Sequence, residues 1–400
     1  MDKNKITIGL FNDSFLPMTD GVVFVVDNYA RRLTKYANVI VFVPRYYRNK
    51  IDDTKLPYKI VKCRSLKTPF YDYSVPLPKL DNKFMKELNN YNLDIVHVHS
   101  PFLVGKVGLK YAKKHNIPCV ATMHSQFKQD FAKAFKNKTV TKKLTDFVIS
   151  FFNKCDECWA VNSEVARIFH EDYGYKKMPL VMNNATEMLP VKDIKSAKKR
   201  INNLHHISDD TIVFLFVGRI NTLKNILFIA DSLKYVKDHN PNLKFKMFYV
   251  GAGKDTSKLK AKIDELCLND DVVLCGKILD RELLASYYAR ADLFLFPSVY
   301  DASSIVQIEA ASQHTPCLFL KGTATAATVI DNQNGFLSDY SIESYGKKII
   351  EIISDKDKLH KISENAFKEL YVNWDDKVKE VYDNYIRLIE ERKKNSNDGK

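Results

Sequence analysis

The chain has 400 residues, 45% hydrophobic and 28% charged, with a net charge of +14. Such a length and composition leave room for two domains with substantial cores and exclude a disordered or fibrous chain. No apolar run reaches the roughly 18 residues of a membrane span, and the short apolar stretch ending at Phe11 is too brief for a signal peptide, so a cytoplasmic protein is expected.

In chain order, β-rich apolar runs alternate with longer helical patterns, the signature of parallel sheets covered by helices. The first half predicts strands at Ile6 to Phe11, Asn38 to Val43, Asp94 to His99, Pro118 to Thr122, Glu157 to Val161 and Pro179 to Met182. From Asn184 to Arg200 the long apolar periodicity lapses around Pro190, which places a linker near residue 190. Strands at Thr211 to Val217, Phe245 to Val250, Val272 to Cys275, Asp292 to Phe296 and Pro316 to Leu320 follow. Apolar residues at Val378, Val381, Tyr382, Tyr385, Ile386 and Ile389 then give a closing amphipathic helix. The expected fold class is α/β, with domains over 1–190 and 191–373 and a helix over 374–394.

The charge is unevenly spread: residues 1–200 hold 35 Lys and Arg against 19 Asp and Glu, the remainder 27 against 29. The first half is therefore expected to meet an anionic membrane, ligand or glycan. Nucleic acid is not expected, because no recognised binding module accompanies the charge. Seven cysteines scattered over the chain fit reduced thiols, and the lone CxxC of Cys155 and Cys158 lacks the second pair or histidines of a zinc site.

In open parallel sheets, ligands bind beyond the carboxyl ends of strands. The first such loop contains Asn12-Asp13-Ser14 and then Asp20-Gly21-Val22, a flexible entry to a helix. The strand ending at Val217 leads to Gly218-Arg219 and Lys224, a planar fork and a point charge able to neutralise a diphosphate. Gly251-Ala252-Gly253 fits close packing as well as it fits a ligand loop. The segment FPSVYDASSIVQIEA, from Phe296, runs from a strand through a polar loop into a helix whose start offers free N–H groups beside Ser303, Ser304 and Ile305. Asp301 and Glu309 flank that start and suit sugar hydroxyls, although a capped core helix has the same pattern.

With these residues in view, the chain resembles the retaining glycosyltransferases of family 4. The resemblance rests on DGVVFVV from Asp20, HVHSPF from His97, TMHS from Thr122, VNS from Val161, VGRINTLKN from Val217, YVGAG from Tyr249, the Phe296 segment and NGFL from Asn334. It implies the GT-B fold, two Rossmann-like domains facing each other across a cleft, with the last helix crossing back to the first domain. Arg219 and Lys224 then look like the pair that holds the donor diphosphate as leaving group, and Glu309 like the carboxylate on the ribose hydroxyls. Asp301 takes the place of a carboxylate on the donor sugar, and His124 resembles a histidine lining the reaction centre. Gly21 and Gly218 would approach donor phosphate, Lys277 and Ile278 would lie against the base, and Ser303, Ser304 and Ile305 would complete the donor site. No metal and no cofactor beyond the nucleotide sugar are implied, and Asp355-Lys356-Asp357, the D-x-D of this chain, reads as solvated charge. Two departures stand out: the family usually carries glutamate where Asp301 stands, and an Asn-Gly pair where this chain has Asn184-Ala185.

Between Phe127 and Lys154, aromatics at helical spacing are interleaved with seven lysines and two acids. This pattern fits a basic amphipathic surface on anionic lipid, and it also fits helices packing one apolar face into the first domain. The aromatic, proline-rich stretch Thr68 to Pro78 suits an acceptor loop or a rigid turn. Similarity to diacylglycerol α-glucosyltransferases implies transfer of glucose from UDP-glucose to a membrane lipid by a protein peripheral on the inner face of the membrane. The alternatives are a capsule, cell-wall or lipid-linked oligosaccharide acceptor, or a nucleotide-sugar-binding protein with little catalysis.

Overall fold

A computed structural model describes residues 2–18, 20–47, 52–67 and 74–397, and the chain divides into two compact units: Met1–Asn184 with Trp374–Lys400, and Ala185–Asn373.

The first unit is built on a seven-stranded parallel sheet in the order β3-β2-β1-β6-β7-β8-β9. Its strands are β1 (Thr7–Phe11), β2 (Asn38–Pro44), β3 (Lys59–Cys63), β6 (Ile95–Val98), β7 (Cys119–Met123), β8 (Glu157–Ala160) and β9 (Leu180–Val181), and a small antiparallel hairpin joins β4 (Ser65–Lys67) to β5 (Ser74–Pro76). Helices α1 (Gly21–Leu33), α2 (Asn82–Asn89), α3 (Leu103–His115), α4 (Phe127–Phe135), α5 (Lys138–Phe152) and α6 (Ser163–Arg167) link the strands. Strands β1, β6 and β7 are buried throughout, as parallel strands covered on both faces must be.

The second unit repeats the plan with six parallel strands in the order β12-β11-β10-β13-β14-β15. It runs through α7 (Ile194–His205), β10 (Ile212–Val217), α8 (Ile226–His239), β11 (Phe245–Val250), α9 (Thr256–Glu265), β12 (Val272–Gly276), α10 (Arg281–Arg290), β13 (Leu293–Leu295), α11 (Ile305–Ser312), β14 (Cys317–Leu320), β15 (Phe336–Ser338), α12 (Ile342–Ser354) and α13 (Lys356–Leu370). In both sheets the strand order reverses beside the first strand of the unit, so the loops after β1, β6, β10 and β13 open at a topological switch point.

The last helix, α14 (Trp374–Asn397), belongs to the first unit. Its apolar face, Trp374, Val378, Val381 and Tyr385, is essentially inaccessible. Trp374 packs edge-on to Phe24 and Tyr29 of α1, and Tyr385 stacks on Trp159 of β8. Arg387 fixes the helix further by donating to both carboxylate oxygens of Glu157 at 2.8 and 2.9 Å.

The two parallel α/β sheets match the fold class read from the sequence, but two sheet-edge strands were not foreseen. Strand β3 has the partly exposed pattern of an edge, and β15 is three residues long. The Thr68 to Pro78 stretch lies outside the described residues up to position 73, and its remainder forms β5 and a turn. Cys155 and Cys158 are buried free thiols, and Asp355 caps α13 by accepting from the N–H of Lys358.

Candidate active site

In the second unit, residues that chain order separates meet beyond the carboxyl ends of β10 and β13. A one-turn helix over Thr222–Lys224 follows β10, and Asn225 closes it in the left-handed conformation that starts α8. The Asn225 side chain donates to the Pro297 carbonyl at 2.7 Å, tying the two loops together. Lys224 Nζ then reaches both carboxylate oxygens of Asp301, at 2.7 and 2.8 Å, and lies 5.1 Å from the centre of the Phe296 ring. Ser298 Oγ donates to Asp301 at 2.6 Å, and Thr325 Oγ1 donates to its main-chain carbonyl at 2.9 Å. Lys224 and Asp301 are about one-fifth exposed, so a ligand can compete for both groups.

Arg219 sits on the surface and has no ion-pair partner among the described residues, so its charge is uncommitted while that of Lys224 is paired. The glycines of the next loop have the packing role. A Cβ on Gly251 would lie 1.8 Å from the carbonyl oxygen of Gly218, and one on Gly253 would lie 2.0 Å from that of Ile220. Their bareness lets the 251–253 backbone press against the 218–220 loop, where Ile220 N–H donates to the Ala252 carbonyl at 3.1 Å. Gly276 has a left-handed φ of +69° and accepts from Gly251 N–H at 2.8 Å, which leaves Lys277 exposed and Ile278 half-buried beside this loop cluster.

Glu309 is buried at 5% exposure one turn into α11. A carboxylate at that depth needs partners, and it has two that the sequence reading missed. Arg281, the first residue of α10, donates to Oε1 at 2.8 Å, and the Tyr288 hydroxyl donates to Oε2 at 3.0 Å. Burial opposes the Arg281 cation, but Glu309 raises its pKa overall. At the start of α11, Ser304 is the N-cap residue, yet its hydroxyl is buried with no partner among the described residues. The Gln307 N–H donates to the Ser304 carbonyl at 3.2 Å, so the Ser304 hydroxyl and the N–H groups ahead of Gln307 are what this helix start can offer an anion.

In the first unit, Asp13 follows β1 and caps α3, accepting from Ser100 Oγ at 2.6 Å and Val104 N–H at 2.8 Å. Burial raises its pKa. Gly21 opens α1 behind the Asp20 cap, and a Cβ there would meet nothing within 4 Å. His124 follows β7, and its Nε2 lies 3.0 Å from Nδ1 of His99. Burial pushes the pKa of His124 down to about 3 and holds His97 and His99 well below the ordinary value, so all three rings are neutral near pH 7. The structure thus gathers Lys224, Asp301 and the Gly218 loop in one place and joins Glu309 to Arg281 and Tyr288. Asn225 lay within a quoted motif, whereas nothing in the local sequence marks Arg281.

The helical stretch from Phe127 divides its apolar residues. Phe127, Val148 and Phe151 are buried, whereas Phe135, Val140 and Phe147 are 54%, 37% and 45% exposed. Lys106 Nζ lies 3.6 Å from the centre of the Phe147 ring. No helix among the described residues is long and apolar enough to cross a membrane, and no cluster of three or more His, Cys, Asp or Glu among them could hold a metal ion.

Two family models match the chain: "Glycosyltransferase Family 4" over residues 19–183 and "Glycosyl transferases group 1" over residues 197–369. Among curated proteins, the chain is 24% identical to the alpha-monoglucosyldiacylglycerol synthase of Acholeplasma laidlawii, over 98% of this chain and 99% of that protein. It is 22% identical to the synthase of the same name from Streptococcus pneumoniae, over 94% of this chain and 85% of that protein. Among solved structures, the sucrose-phosphate synthase of Thermosynechococcus elongatus superposes with a TM-score of 0.78 at 19% identity, covering 96% of this chain and 100% of that one. The Anabaena protein Alr3699/HepE, solved with UDP and glucose, gives 0.70 at 15% identity, covering 95% and 99%.

Proposed function

Because the chain belongs to the family 4 glycosyltransferases and has their GT-B fold, we propose that this hexosyltransferase moves glucose from UDP-glucose to diacylglycerol with retention of configuration. The observation that carries the donor half of the reading is the Lys224–Asp301 pair beside the anion-suited start of α11.

The donor diphosphate takes Lys224 from Asp301 and recruits the uncommitted Arg219, so two cations stabilise the departing nucleoside diphosphate. Asp301, released from its lysine, accepts hydrogen bonds from the sugar hydroxyls. Its side chain is one methylene shorter than the usual glutamate and sets the sugar at a different depth. Glu309 accepts from the ribose hydroxyls, the 276–278 turn lies along the base, and the N–H groups beside Ser303, Ser304 and Ile305 approach the phosphates. The bond from the anomeric carbon to the diphosphate breaks through an oxocarbenium-like state. The acceptor oxygen attacks the same face, and its proton passes to a donor phosphate oxygen. His124, neutral at working pH, lines this centre as a polar contact and not as a cation.

The acceptor half rests on the near full-length similarity to two alpha-monoglucosyldiacylglycerol synthases and on the exposed Phe135, Val140 and Phe147 among the lysines of α4 and α5. Each lysine close to an anionic membrane adds up to about 1 kcal/mol, and the exposed rings enter the interface, so the protein works as a peripheral membrane enzyme. Similarity to the UDP-Gal:alpha-D-GlcNAc-diphosphoundecaprenol galactosyltransferase of Escherichia coli, 25% identical over 74% of this chain, supports a second acceptor class, a lipid-linked saccharide. Radiolabelled UDP-glucose incubated with anionic vesicles containing diacylglycerol is expected to give organic-extractable label. Label appearing only on a lipid-linked saccharide would transfer the reading to the second acceptor, and label on neither would reject both.

A further inference from the structure

His99 and His124 stand at the carboxyl ends of the adjacent parallel strands β6 and β7, with their rings 24° from parallel and centroids 5.3 Å apart. His99 is 2% exposed; its main-chain N–H is bonded to the Phe11 carbonyl, and its ring packs on that of His97 at 4.0 Å and against the edge of Tyr29 at 5.6 Å. The ring is therefore held from several directions. His97 has no hydrogen bond to spare for it, because its Nδ1 is bonded to the Tyr385 hydroxyl at 2.5 Å and its Nε2 to Thr122 Oγ1 at 2.7 Å. The second ring nitrogen of His99, Nε2, is buried and has no partner among the described residues.

Two neutral imidazoles joined by a single hydrogen bond place one proton between them. If His124 donates from Nε2, then His99 carries its own proton on the buried Nε2, an N–H with no acceptor. If His99 donates from Nδ1, the buried Nε2 is only a lone pair, and His124 carries its proton on Nδ1. A buried N–H without an acceptor is rarer in folded proteins than an under-satisfied acceptor, and this outweighs the slight preference of a free imidazole for a proton on Nε2.

We infer that His99 is a positioning residue whose Nδ1–H donates to Nε2 of His124, so that His124 presents an Nδ1–H to its open side. His124 is then a fixed hydrogen-bond donor, suited to a hydroxyl or phosphate oxygen of the donor sugar nucleotide and unable to act as a base from that nitrogen. What the Nδ1–H meets rests on the reading proposed above; where the proton sits does not. A donor at this position also agrees with a transfer in which the donor phosphate removes the acceptor proton.

Selective 15N-histidine labelling of the full chain, with long-range proton–nitrogen correlation of the ring signals and a His124→Gln spectrum for assignment, reads the tautomer directly. His124 is expected to show a protonated Nδ1 and a bare Nε2 at pH 7. A protonated Nε2 on His124 would overturn the inference, and so would a His99→Phe variant in which His124 keeps the Nδ1–H pattern. In assays, His99→Phe is expected to lower kcat roughly tenfold with donor KM little changed, and His99→Asn, whose amide can donate from near the place of Nδ1, to recover most of the loss. If His124 shows the Nδ1–H tautomer but His124→Gln turns over normally, the proton placement stands and the assignment of His124 to the reaction centre falls.

Discussion

In the first unit, β6 and the loops beyond β6 and β7 hold neutral rings: His97 within the strand, bonded to Thr122 and Tyr385, and His99 and His124 just beyond, all held uncharged by burial. In the second unit, the loops beyond β10 and β13 and the start of α10 present charges: Lys224 on Asp301, Arg281 on Glu309, and Arg219, which has no ion-pair partner among the described residues. The distribution of net charge runs the other way, because all of the positive excess lies in the first 200 residues. Bulk charge and site charge are thus separate properties. The lysines of α4 and α5 lie on exposed faces, where they act over a Debye length of about 10 Å on whatever surface the unit meets. Two site charge pairs of the second unit, Lys224 with Asp301 and Arg281 with Glu309, are partly buried, which makes each of them stronger and more specific than a solvated surface charge.

The contrast can be broken most sharply at Lys224. Lys224→Ala removes the paired cation and is expected to lower kcat/KM about 100-fold, equivalent to about 3 kcal/mol of barrier, with an unchanged circular dichroism spectrum. Turnover within threefold of wild type would show that the ion pair is structural. Glu309→Gln has a smaller expected effect: it leaves Arg281 facing an uncharged amide and raises the donor KM roughly tenfold, with less change in kcat. A 2′-deoxyribose donor should be insensitive to this substitution, and equal losses for both donors would place Glu309 in the core and not at the ribose.

The third prediction concerns stability. His97, His99 and His124 of the first unit have folded pKa values below the ordinary 6.5, about 3 for His124, so the unfolded state binds more protons below pH 6.5. Stability is complete above about pH 6.5 and falls as the pH drops; at pH 5, keeping His124 neutral costs about 2 kcal/mol, and His97 and His99 act in the same direction. Urea unfolding at pH 7 and pH 5 checks this, with a lower midpoint expected at pH 5 and a smaller difference in His97→Gln. A midpoint that stays constant or rises on acidification would refute the neutral cluster.

Much of the fold was legible because parallel strands buried on both faces leave continuous apolar runs, as in Thr7–Phe11 and Ile212–Val217. The edge strands β3 and β15 were not legible, since an edge keeps one side polar and its identity depends on the neighbour it pairs with. The stripe from Phe127 shows the same limit: helical spacing announced an amphipathic face, but only packing decided that Phe127, against Phe102, Phe152 and Phe169, and Phe151, against Phe152, are core while Phe135 and Phe147 remain outside.

The candidate site divides similarly. By itself, the order of residues determined which loops follow strands, where the cations and carboxylates stand within them, and the family to which these motifs belong. Only the tertiary structure decided that Lys224 is paired with Asp301 across 77 positions, that Glu309 is shared by Arg281 and Tyr288, and that His99 touches His124. The reason is physical: a strand–loop–helix unit is encoded by local periodicity and turn chemistry, whereas a side chain's partner, burial and proton depend on which strands lie side by side. The pair Asp301 and Glu309 shows this most plainly, because one helix start carries both residues and folding gave each a different cation.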